Sequence, residues 1–139
     1  MAAANTSPIF SKVGAVGWVV GVATANTTVD LTAGTIYLVF TADATNGGYV
    51  NKLIFQPLGT NTASVGRVWI NNGGVTSTAA NNTQFQDVTL PATTVSQVAG
   101  VGATVVSLDL ALNPGYRIYV TLGTTVAAGF TVTAIAGSY

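Results

Sequence analysis

A two-residue alternation of apolar and other side chains recurs along this chain, and it restricts the fold more than any other feature. Val106, Leu108, Leu110 and Leu112 alternate with Ser107, Asp109 and Ala111. After Asn113-Pro114-Gly115, Tyr116, Ile118, Val120 and Leu122 alternate with Arg117, Tyr119 and Thr121, and Phe130, Val132, Ala134 and Ala136 form a further set. A period of two assigns each set to one face of a strand, whereas a helix repeats every 3.6 residues. No stretch combines sustained helical periodicity with capping signals.

The same pattern extends toward the N-terminus. A first strand is predicted over 16–24. A second covers 35–42, with Ile36, Leu38 and Phe40 on one face and Tyr37, Val39 and Thr41 on the other. A third covers 49–58, where Leu53 and Phe55 oppose Lys52, Ile54 and Gln56, and Pro57 belongs at a strand end or sheet edge. A fourth covers 64–71, with Val68 and Ile70 opposing Arg67, Trp69 and Asn71. A fifth, over 84–90, stops at Pro91. Asn46-Gly47-Gly48 and Asn72-Gly73-Gly74 are turn signals.

About eight short strands at roughly ten-residue spacing read as an all-β, two-sheet β-sandwich. Eight strands suit a jelly roll of two four-stranded sheets. An immunoglobulin-like sandwich is the alternative, weakened by the missing Cys…Trp…Cys spacing. Residues 1–12, with Pro8 opposing a helix, read as an extended N-terminal arm, and 13–139 as a single sandwich domain. Lys12, the apolar run Val13–Val22 and Ala23-Thr24-Ala25 imitate a targeting signal. That run is shorter than the ~20 residues needed to span a bilayer and rich in Val and Gly, so it reads as a strand with no membrane role.

The chain is poor in chemistry-bearing side chains. It has no His and no Cys, and its four acidic residues are all Asp, at 30, 43, 87 and 109. General acid–base and nucleophilic catalysis therefore lack their usual groups. A paired-carboxylate hydrolase would have to use Asp87 and Asp109, which alternation instead assigns to solvent faces. The absence of soft ligands removes zinc and iron–sulfur sites. Asp43 and Asn46 offer two side-chain oxygens at loop spacing, a pattern that turn formation explains more simply than calcium. Gly100-Val101-Gly102 lacks the Lys or helix of a phosphate cradle, so no cofactor is expected. Lys12, Lys52, Arg67 and Arg117 are scattered rather than clustered, which disfavours nucleic acid as a partner.

Association is the remaining expectation. Charged residues make up 6% of the chain and the formal net charge is zero, against roughly 25% charged residues in an ordinary domain. Little repulsion keeps copies apart. The faces opposite the inward set also hold apolar residues, namely Val39, Ile54, Trp69, Tyr119 and Ile135. Aromatic residues such as Trp18, Trp69, Tyr37, Tyr49 and Tyr119 suit a core, an interface or a sugar-stacking platform. The candidate assembly contacts are Pro8, Ile9 and Phe10 in the arm, with Trp69 and Tyr119 on the strands.

Four segments carry a resemblance: Asn5-Thr-Ser-Pro-Ile-Phe10, Lys52-Leu-Ile-Phe-Gln-Pro-Leu-Gly-Thr-Asn61, Arg67-Val-Trp-Ile-Asn-Asn-Gly73 and Leu112-Asn-Pro-Gly-Tyr-Arg-Ile-Tyr-Val-Thr-Leu-Gly-Thr-Thr125. Together they resemble small virion proteins of tailed bacteriophages and prophages along nearly the whole chain. In size and strand pattern the chain is similar to jelly-roll capsid decoration (cement) proteins. The resemblance implies a homotrimer on the outside of a phage head, clamping adjacent major capsid proteins, with no catalytic motif to carry over. The alternative role is a tail or head-fibre module that recognises a host surface glycan.

Overall fold

Leu53 and Phe55, Val68, Val106 and Leu108, Ile118 and Val120, and Phe130, Val132 and Ala134 are all buried positions on alternating strands. Burying them together requires two sheets stacked face to face. The computed structural model describes residues 13–139 and shows that arrangement. In the first sheet β1 (Val13–Gly14) and β2 (Gly17–Val22) run along one side of β9 (Phe130–Ser138), followed by β4 (Gly48–Pro57) and β7 (Thr104–Leu112). In the second the order is β3 (Tyr37–Thr41), β8 (Arg117–Leu122), β5 (Ser64–Asn71) and β6 (Asn82–Leu90). The N-terminal arm, with Pro8, Ile9 and Phe10, lies outside the described residues. Among those residues the only helical turn is a 3-10 turn at Ala79–Asn81.

The predicted first strand is divided. β1 and β2 hold one register against β9, from Val13 opposite Ser138 to Val19 opposite Val132, and break only around Ala15 and Val16. Pairing is nested: β5 with β6, β4 with β7, β3 with β8 and β2 with β9, all antiparallel. Lateral pairs β4–β9 and β5–β8 join this ribbon into two sheets. Consecutive strands β2 and β3 therefore lie in different sheets, unlike the immunoglobulin-like order, in which the first two strands are neighbours. The turn after β7 follows from its residues, because Pro114 presets φ and Gly115 adopts φ +77°, with Tyr116 N–H donating to Asn113 O at 3.1 Å.

The interior is a single apolar layer. Phe55 and Phe130 meet edge to face, with ring centroids 6.4 Å apart and planes at 80°. On one side of the sandwich the sheets close tightly: a Cβ on Gly17 of β2 would collide with the carbonyl oxygen of Val39 in β3. On the other side β6 and β7 are free edges, connected by the exposed loop 91–103.

Except for the two-residue β1, every outer strand carries one extra residue relative to its inner neighbour. It falls at Val20–Gly21 in β2, Val39 in β3, Phe85 in β6 and Leu108–Asp109 in β7, where Asp109 has φ +46°. Such bulges twist an edge out of the plane and oppose strand addition. The bulge in β3 also corrects its predicted faces: Val39 and Phe40 are both buried, and Leu38 is exposed.

Candidate association surface

The two outer faces of the sandwich differ. On the second sheet, alternation turns Trp69, Asn71, Tyr119 and Thr121 outward, yet all four are buried. The loop 23–36 covers them. Ala25 bridges Leu122, and Asn26 N–H donates to Leu122 O at 2.7 Å. Asn26 then holds the loop in shape: its Nδ2 donates to Ala33 O and Thr35 O, and its Oδ1 accepts the Thr28 amide. Leu31, at φ +64°, packs against Trp69 and Tyr119, with Ile36 beside them. The indole Nε1 donates to Thr121 Oγ1 at 3.0 Å, and Asn82 Nδ2 donates to Asp30 O at 3.0 Å. Trp69 and Tyr119, expected as assembly contacts, are thus sealed within the chain. Only 1% of Trp69 is accessible. Val39 likewise points inward.

Among the described residues the first sheet has no such cover. Its outward row runs from Trp18 in β2 through Thr133 in β9 and Ile54 in β4 to Val105 in β7. Val16 and Val20 flank Trp18, and Ile135 lies opposite Lys52. Trp18 is 64% exposed, and Val16, Val20 and Val105 are each more than half exposed. Gln56, Ser107 and Asp109 surround this stripe on the β4–β7 side. Open apolar patches of this kind mark interaction sites. The signal in the sequence was Gly17: a residue too small to point anywhere but into a close contact forces its neighbours Val16 and Trp18 outward.

The polar candidates are not brought together. Asp87 sits on β6, facing Arg67 with Nε–Oδ1 at 3.7 Å and accepting a hydrogen bond from Gln84 Nε2. Asp109 sits on β7 in the other sheet and accepts a bond from Tyr49 Oη at 3.0 Å. Asp43 Oδ1 accepts the amides of Thr45 and Asn46 at 2.9 and 2.7 Å, closing an Asx turn. Among the described residues no three acidic, His or Cys side chains converge on a possible metal position, and no helix is long and apolar enough to cross a membrane.

These contacts set the response to pH. The Asn46 and Thr45 amides hold the Asp43 carboxyl below its ordinary value of 3.8, and the Thr32 hydroxyl and amide do the same for Asp30. A carboxylate favoured by the fold adds stability above its unfolded pKa and loses it on acidification. The bond to Asp109 pushes the Tyr49 phenol above its ordinary value of 10.0, so its contribution disappears as pH rises past that value. Burial disfavours the Tyr37 phenolate, but the Thr24 and Ala23 amides outweigh it and hold that phenol below 10.0, which opposes Tyr49 on the alkaline side. With no His or Cys in between, the melting temperature is expected to be flat from about pH 5 to about pH 9 and to fall on acidification. Thermal melts across this range check it, and a midpoint that moved within the plateau would contradict the assignment.

Comparison with family models, with curated proteins and with solved structures finds no match to this chain.

Proposed function

We propose that this chain is a structural virion protein, a capsid decoration or cement protein that acts as an oligomer on the outside of a phage head and reinforces contacts between major capsid proteins. One observation carries the reading: among the described residues an almost uncharged sandwich keeps an apolar sheet face, with Val16, Trp18, Val20 and Val105, open to water. A lone molecule gains nothing from such a face, whereas a protein that works by adding buried area to an assembly needs one. The segments that resemble phage virion proteins support the same role. The nested pairing around β5–β6 supports reading the sandwich as a jelly roll, since a long antiparallel ribbon rolled onto itself gives these two strand orders. The glycan-binding alternative is less well supported, because Trp18 stands among valines rather than beside the polar side chains that orient a sugar.

The mechanism is mass action: a ligand that binds only the closed shell stabilises it and slows its opening. Adding the purified protein to heads that lack it is expected to give saturable binding and raise the temperature at which DNA escapes. Binding without any gain in heat resistance would remove the cementing role, and no binding would remove the capsid.

A further inference from the structure

We infer that the outer face of the β2–β9–β4–β7 sheet is the contact between copies of this chain. The inference rests on the self-association in the proposed function and not on the capsid, so the two can fail separately. Three observations select a second copy as the occupant.

The first is that pairing through sheet edges is opposed. The outer strands β2, β3, β6 and β7 are each bulged and β1 is only two residues long, which favours association through a face. The second is that among the described residues only one face is open, because the loop 23–36 already covers the other. The third is charge and size. The open face carries one cation, Lys52, and one anion, Asp109, so a copy meets no excess of like charge and brings an opposite charge for each. Four strands at about 4.8 Å spacing and nine residues at about 3.4 Å rise give a face of roughly 19 Å by 30 Å. Two such faces together bury about 1,100 Å², above the ~1,000 Å² that a specific interface needs. Trp18, on the outer strand β2 between Val16 and Val20, is the anchor, since large exposed aromatics are the residue type on which interface affinity concentrates.

The test uses the full chain in solution. Light scattering coupled to sizing chromatography is expected to find an oligomer. Trp18→Asp and, independently, Val20→Lys are expected to weaken association about 30-fold or more. Val98→Asp in the exposed loop 91–103 and Phe85→Ser on β6 are expected to leave it unchanged. In a Trp69→Phe background, Trp18 is the only indole, and its emission should shift to the red on dilution to monomer. A single cooperative melt of the monomeric variants would show that they remain folded. A wild-type chain that stays monomeric with its Trp18 emission already water-exposed overturns the inference, as does an oligomer broken by the control substitutions and not by those at Trp18 and Val20.

Discussion

Replacing Trp69 by alanine should lower the folding free energy by about 3–5 kcal/mol, the range found when a fully buried large aromatic is truncated. The effect is large because Trp69 is held from both sides. Beneath it lies β5, and above it the loop 23–36 places Leu31 and Ile36 against the indole. Truncation empties the centre of that outer cluster and leaves the buried Thr121 hydroxyl without its Nε1 donor. Since a domain of this size is stable by only about 5–15 kcal/mol, the variant should unfold at markedly lower urea. Trp18→Ala is the paired control. Its indole is mostly in water, so monomer stability should change by less than about 0.5 kcal/mol. Urea denaturation of both variants decides the matter, and equal losses at the two tryptophans would mean that the loop does not cover Trp69.

The second large effect is expected at Asn61. Its side chain ties together the loops after β4 and before β9: Oδ1 accepts the amides of Ala128 and Gly129 at 2.8 and 2.9 Å, and Nδ2 donates to Gly129 O at 3.0 Å. Its backbone pairs with Thr93 in both directions, adding the loop after β6. Asn61→Ala strands the Ala128 and Gly129 amides, while the Gly129 carbonyl keeps the Leu58 amide as a donor at 2.9 Å. At about 1–3 kcal/mol for each unsatisfied buried group, and with some relief from entering water, the expected loss is about 2–4 kcal/mol. Asn61→Asp keeps the acceptor but sets a carboxylate against the Gly129 carbonyl, and it should recover only part of the loss. Denaturant midpoints read both, and a loss below about 1 kcal/mol in the alanine variant would show that these amides find other partners.

The division between the faces of the unbulged strands was legible in the sequence, and the division between sheet and solvent was not. Alternation correctly opposed Leu53 and Phe55 to Lys52, Ile54 and Gln56, and Val68 to Trp69, because a strand's geometry is local. It could not show that Trp69 is covered, because the covering residue, Leu31, lies in a loop with no periodicity and adopts φ +64°. Bulges are equally silent: Val39 shifts the register of β3 by one residue with no sequence mark. Alternation turns Ile54 and Ile135 outward, but it does not single out Val16, Val20 and Val105, which are the more exposed. Asn61, a polar residue between a Gly-Thr pair and a Thr-Ala pair, read as an ordinary loop residue, since its three partners are all about 68 positions away.

The nested pairing has a consequence for how the chain is made. β9 is the only neighbour of β1 and β2 in their sheet and also flanks β4, yet it is translated after all of them. Until it arrives, the first two strands have nothing to pair with, and the apolar stretch Val13–Val22 waits in water with almost no charge to keep nascent chains apart. Distant pairings of this kind close slowly and expose sticky intermediates. Synthesis at low temperature or with abundant chaperone should therefore raise the yield of soluble protein more than any substitution on its finished surface.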